Sequence, residues 1–125
     1  MGFRHGPKSF VNDKTLTVIY LSDDENTRRY EIDLLKEMYS QYKENQIMVV
    51  ENEPDIEVKK LCKTCVSFNF GEKLESAYLG LGYIVVAQIL ALMKSQKLGL
   101  TTDNPCPTGE VNRVVKGVTI YPTNK

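Results

Sequence analysis

The sequence predicts an α/β domain built on a parallel sheet, and three observations lead there. The run Thr15 to Leu21 (TLTVIYL) is short, apolar and rich in β-branched residues, which suits a strand buried on both faces. The next segment, to about Lys43, places Ile32, Leu35, Met38, Tyr39 and Tyr42 at spacings of three and four, the stripe of an amphipathic helix. A second strand-like run, Ile47 to Val50 (IMVV), follows. Strand and helix in alternation, with doubly buried strands, argue a layered α/β domain.

The elements follow in order. Residues 1–13 read as a loop with a short helical turn after Pro7, since proline suits the first helical position, where its missing N–H is not needed. Ser22, Asp23 and Asp24 are capping residues, and Asp23, Asp24 and Glu25 complement the positive end of the helix they open. Asn52 to Asp55, with Pro54, ends the second strand. Ile56 to Cys62 is a short helix or a turn, and Cys65 to Phe70 a third strand near a sheet edge. Glu75 to Lys97 forms a long helix. Residues 101–109 are turn chemistry throughout. A helical piece is expected over Glu110 to Val115, and extended chain over Val118 to Tyr121. Three short strands make a thin parallel sheet, so the expectation is that the first strands of the domain are absent from this chain.

Composition narrows the function classes. The chain has 125 residues, 42% apolar and 26% charged, as in ordinary soluble globular proteins. Sixteen basic and sixteen acidic residues cancel, which leaves no electrostatic case for nucleic acid or an anionic membrane surface. Three cysteines are an odd number, and the polar N-terminus has no leader pattern, so the expected compartment is the reducing cytoplasm. The stretch Ala77 to Met93 is nearly all apolar, but short of the ~20 residues a span requires. It reads as a helix buried in a soluble core, with Gly80 and Gly82 as packing positions; a membrane-anchored protein is the rival.

Few residues carry obvious chemistry. His5, the single histidine, lies between Arg4 and Gly6-Pro7; it suits proton transfer near neutral pH, or is a surface residue. Lys116 has apolar neighbours and suits Schiff-base chemistry, or anchors the tail. Cys62-Lys63-Thr64-Cys65 is a lone CxxC, with only Cys106 and His5 left to complete a zinc site. It enters a strand instead of opening a helix, so coincidence is the preferred reading. Neither a P-loop nor GxGxxG occurs.

Two segments together carry a resemblance. Phe3-Arg4-His5-Gly6-Pro7-Lys8 resembles the [K/R]-H-G-P motif of sugar isomerase (SIS) domains. The ending, Asp103-Asn104-Pro105-Cys106-Pro107-Thr108-Gly109-Glu110-Val111-Asn112-Arg113-Val114-Val115-Lys116-Gly117-Val118-Thr119-Ile120-Tyr121, is similar to that of the tagatose-6-phosphate ketose/aldose isomerases, also described as galactosamine-6-phosphate deaminases. The ending is the more specific of the two, and the order of segments matches throughout residues 1–125.

The resemblance implies a three-layer αβα SIS domain with a parallel sheet, of which residues 1–125 form the back part, first strands missing, and 101–125 a tail contributing to the site. It implies aldose/ketose isomerisation of a sugar phosphate, or deamination of galactosamine 6-phosphate to tagatose 6-phosphate and ammonia. By analogy with glucosamine-6-phosphate synthase, His5 would help open the sugar ring and Lys116 would contact the open-chain carbonyl. Arg4, Gly6, Asn112 and Arg113 would bind substrate. No cofactor and no metal are implied. A homo-oligomer, or a missing N-terminal SIS portion, is the expected partner, because the motif histidine often serves a neighbouring subunit. The family's Ser/Thr-rich phosphate loop and carboxylate base lie upstream of these motifs. The alternative is therefore a non-catalytic SIS remnant that binds sugar phosphate or mediates association.

Overall fold

The computed structural model describes residues 2–101, 106–110 and 117–122. Its elements are α1 (Gly2–His5), a 3-10 turn (Pro7–Phe10), β1 (Thr17–Tyr20), α2 (Glu25–Gln41), a second 3-10 turn (Glu44–Gln46), β2 (Ile47–Glu51), α3 (Ile56–Leu61), β3 (Cys65–Ser67) and α4 (Ser76–Lys97). The strands form one sheet in the order β1-β2-β3, and both pairings are parallel. The parallel α/β expectation holds, with the third strand at an edge. Ile56–Leu61 is helical, which supplies the crossover a parallel β2–β3 pair needs. The N-terminus is more helical than expected: Gly2–His5 closes one turn ahead of the turn at Pro7.

Strand alternation sorts the core. Ile19, Leu21, Ile47 and Val49 face Leu35 and Met38 of α2 and Val58 and Cys62 of α3, and all eight are buried. Phe3, Ile32, Leu34, Tyr39 and Tyr42 pack around them, so the predicted stripe of α2 is the face that seals this side of the sheet. Asp24 caps α2, accepting the Thr27 N–H at 2.8 Å. The Thr27 hydroxyl, which donates to the same oxygen at 2.7 Å, and the Thr27 amide hold the Asp24 carboxyl below its ordinary value.

The other face of the sheet carries Val18, Tyr20, Met48 and Val66, which are half-buried, and Val50, which is fully buried. The start of α4 covers part of it. Leu79 and Tyr83 are buried, Tyr83 stacks on Tyr20 at 5.7 Å between ring centroids, and its hydroxyl donates to the Leu21 carbonyl at 2.9 Å. Burial, then the nearby Asp23 charge, pushes the Tyr83 phenol up to about 12. Gly82 is a packing position: a Cβ there would meet the Phe70 ring at 3.1 Å. Gly80 is not, since nothing lies within 4 Å of a Cβ built on it.

The expectation of a core helix needs correction. Only 17% of the apolar stretch of α4 is buried, and Tyr78, Leu81, Ile84, Val85, Ile89, Leu92 and Met93 stand exposed. By length and composition α4 is one helix able to cross a membrane. It is exposed because a single narrow side, through Leu79 and Tyr83, meets the sheet, while apolar residues occupy its whole circumference.

The chain separates into two compact units, residues 1–84 and 85–125. Unit 1 holds the sheet, α1 to α3 and the first turns of α4. In unit 2 the described residues continue α4 to Lys97, and a turn at residues 107–110 follows.

Candidate functional site

The H-G-P segment is docked on α2 by charge. Arg4 donates from Nε to Glu37 Oε2 at 2.7 Å, and Lys8 Nζ pairs with Glu37 Oε1. The two cations, Lys8 foremost, hold the Glu37 carboxyl below the usual carboxylate range. Gly6 precedes the 3-10 turn and offers its carbonyl to Ser9, at 3.0 Å from the amide and 2.7 Å from the hydroxyl. Among the described residues nothing lies within 4 Å of a Cβ built at Gly6. His5 ends α1 with its side chain exposed to solvent. Beside it, a shallow groove of about 350 Å³ runs between α1 and α2, lined by Phe3, Arg4, Asn26, Thr27, Tyr30, Glu31 and Leu34. Asn112, Arg113 and Lys116 lie outside the described residues.

A second constellation stands at the carboxyl ends of the strands, where open α/β sheets place their ligands. Glu51, the last residue of β2, has a fully buried side chain. It accepts from Arg28 Nη2 at 3.0 Å and from the Ser67 hydroxyl at 3.3 Å. Arg28 also reaches Asp55 at 3.3 Å. Burial works against the Asp55 charge, but the Glu57 backbone N–H and the Arg28 guanidinium outweigh it and lower its pKa. Alongside, buried Asn52 donates to Asp23 at 2.7 Å and to the Glu72 carbonyl at 2.8 Å, and accepts the Phe70 N–H at 2.9 Å. Above these lies an open cleft of about 420 Å³ between Asp23, Glu25, Arg28, Glu53, Asp55 and Lys73. Four of its charges pair, Lys73 with Glu25 at 3.0 Å and Arg28 with Asp55 at 3.3 Å, while Asp23 accepts from Asn52 and the Leu74 N–H and Glu53 from the Gly71 N–H. The arrangement locks three strand-end loops together.

Sequence reasoning missed Glu37, Arg28, Glu51 and Asn52. One signal was legible: a charged residue closing the apolar run IMVVE, followed by an amide. A charge at the end of a doubly buried strand needs a partner.

The CxxC pair forms no disulfide. Cys62 caps the end of α3, and Cys65 opens β3. Burial, then the adjoining Cys62, pushes the Cys65 thiol up to about 11, and both remain free thiols. Among the described residues no cluster of His, Cys, Asp and Glu fits a metal.

Comparison with known proteins adds what these residues leave open. No family model matches the chain. It is 41% identical over 122 residues to the D-galactosamine-6-phosphate deaminase AgaS of Shewanella sp. strain ANA-3, an alignment covering 98% of this chain and 28% of that protein. It is 40% identical over 126 residues to the D-galactosamine-6-phosphate deaminase AgaS of Escherichia coli, covering 97% and 31%. Among solved structures, one from Clostridium novyi NT, assigned as a tagatose-6-phosphate ketose/aldose isomerase, superposes with a TM-score of 0.84 at 44% identity, covering 97% of this chain and 31% of the other. The tagatose-6-phosphate ketose/aldose isomerase of Escherichia coli gives 0.76 at 30% identity, covering 97% and 29%. The chain spans about a third, or less, of the length of the relatives it matches. By sequence and by fold the chain is similar, along nearly its whole length, to a segment of galactosamine-6-phosphate deaminases and tagatose-6-phosphate ketose/aldose isomerases, and its parallel sheet is of the same SIS type.

Proposed function

We propose that this segment serves a sugar-phosphate enzyme that converts galactosamine 6-phosphate to tagatose 6-phosphate and ammonia, or interconverts the related aldose and ketose. The observation that carries the reading is the 41% identity to a D-galactosamine-6-phosphate deaminase along 98% of the chain.

The chemistry assigns roles. Ring opening moves a proton from the C1 hydroxyl to the ring oxygen and exposes the C1 aldehyde. A base then carries the C2 proton to C1 while an amine proton passes to the C1 oxygen, leaving an imine at C2. Water adds to that carbon and ammonia departs, which yields the ketose. His5 handles the ring-opening proton, a task that suits an imidazole near neutrality. Its exposure suits a substrate brought to it by a neighbouring subunit of a homo-oligomer. Lys116 contacts the open-chain carbonyl, and Arg4, Gly6, Asn112 and Arg113 bind substrate. No metal or organic cofactor enters these steps. The tail, residues 101–125, completes the site of a SIS domain that residues 1–125 share, in the cytoplasm.

A second reading is a module that binds sugar phosphate, or mediates association, without turnover. The salt bridge from Arg4 to Glu37 favours its association form, because a cation already paired is a weaker phosphate ligand.

The test grafts this chain into the Shewanella deaminase in place of the matched segment and follows ammonia release from galactosamine 6-phosphate. His5→Ala should lower turnover at least a hundredfold, the usual scale of a lost acid–base group (~10²–10⁴-fold). Unaltered turnover removes His5 from the mechanism. Calorimetric binding of the sugar phosphate without ammonia release supports the second reading.

A further inference from the structure

We propose that Glu37 is a positioning residue: its carboxylate braces the His5-Gly6-Pro7 segment from both flanks and so fixes the direction in which the His5 imidazole is presented. The catalytic use of this brace rests on the ring-opening reading of His5 given above; the brace itself does not.

The segment cannot hold its own shape. α1 is one turn of four residues, the 3-10 turn after it is another four, and neither buries a side chain. The 3-10 turn has no side-chain cap. Turns this short are unstable alone in water, because nucleation costs more than one or two hydrogen bonds return. Phe3 and Val11 pack against the core and fasten the two ends. Ser9 bonds back to the Gly6 carbonyl, within the segment. Among the described residues no hydrogen bond or ion pair involves the His5 side chain, so its direction is set through the backbone.

Glu37 supplies the missing constraint. Its carboxylate takes one cation on each oxygen, Arg4 on Oε2 and Lys8 on Oε1, and these cations stand on either side of His5-Gly6-Pro7. One group on α2 thereby ties α1 to the 3-10 turn. An isolated surface pair fixes little, but charges joined in a network fix more. Here the Arg4, Lys8 and Glu37 side chains are 28%, 18% and 30% exposed. The support is rigid as well. Leu35 and Met38, beside Glu37 in α2, are fully buried, and a functional group is held best by residues locked through packing. Such control matters, because a misplacement of about 1 Å costs on the order of 10²-fold in rate.

The test uses the Shewanella deaminase carrying this chain in place of its matched segment. Glu37→Gln keeps the helix propensity of α2 and removes the charge. It should speed amide exchange over residues 3–9 roughly fivefold or more and leave exchange over α2 unchanged. It should lower turnover of galactosamine 6-phosphate roughly tenfold. In a His5→Ala background the same change should cost under about twofold, because residues that act as one unit are not additive. A merely structural role would cost the same in both backgrounds. If Glu37→Gln does not accumulate, Lys8→Met leaves α2 untouched and should move each readout the same way, by about threefold. Unchanged exchange overturns the brace. Faster exchange with unaltered turnover, or an equal loss in both backgrounds, overturns the positioning role. If His5→Ala alone leaves turnover unaltered, the ring-opening reading fails and the catalytic use of Glu37 falls with it; the exchange result then decides the brace by itself.

Discussion

The two long helices, α2 and α4, use their apolar residues in opposite ways. In α2 the apolar positions form one stripe, and the opposite side is charged. The stripe meets Ile19, Leu21, Ile47 and Val49, and Leu35 and Met38 are fully buried. In α4 apolar residues surround the helix, yet only Leu79, Tyr83 and Val86 are buried. Hydrophobicity alone therefore does not tell which helix is buried. Burial follows from a second surface of matching shape: α2 has one along its stripe, and in α4 Tyr83 meets one at Tyr20 and the Leu21 carbonyl.

Removing the partner of the buried Glu51 should break the α2 side most severely. Arg28→Ala leaves a carboxylate with 0% side-chain exposure whose Oε2 has lost its cation, while Oε1 keeps the Ser67 hydroxyl and the Asp55 N–H, each at 3.3 Å. Loss of one partner from a buried pair costs about 3–5 kcal/mol, read from urea unfolding. A loss under about 1 kcal/mol would show that water reaches Glu51 and that the pair belongs to the surface class.

Leu35→Ala tests the stripe itself. It deletes a fully buried side chain and should cost about 2–5 kcal/mol, seen as a lower denaturant midpoint at unchanged slope.

Asp55→Ala sharpens the contrast at the sheet rim. Asp55 accepts the Glu57 N–H at 2.7 Å and caps α3, so its loss should cost about 1 kcal/mol at neutral pH. Its carboxyl lies below the ordinary 3.8 in the folded protein. Its contribution is thus in place above that value and is lost as pH falls through the lowered one. Wild type and variant should converge in stability in acid, and a gap that persists below pH 2 would mean that Asp55 acts through packing.

The smallest effect belongs to α4. Ile89→Ser in the free chain changes a half-exposed residue and should alter stability by no more than about 0.5 kcal/mol. A cost comparable to that of Leu35→Ala would erase the distinction between the two helices.

Much of the fold was readable in advance. Val18, Ile19, Met48 and Val49 lie in uninterrupted apolar runs, and they became paired parallel strands, Val18 beside Met48 and Ile19 beside Val49. Asp24 read as a cap and is one. Of the candidate site, the expectations for His5, Arg4 and Gly6 rest on a local pattern, a histidine between a cation and a Gly-Pro pair, together with the family resemblance. Glu37 was not legible, since nothing local marks it out from the other carboxylates of α2. Its role comes from Arg4 and Lys8, about thirty residues earlier in the chain, meeting it in space.

By itself the sequence determined the element types, the caps, the parallel sheet and the kinship with sugar-phosphate enzymes, because periodicity, capping chemistry and motif spacing are properties of neighbours in the chain. Only the tertiary structure decided that Arg28 pairs with Glu51, that Asn52 ties three strand-end loops together, and that α4 leaves most of its apolar surface bare. Those outcomes depend on which surfaces meet, and contact between residues remote in sequence is set by packing.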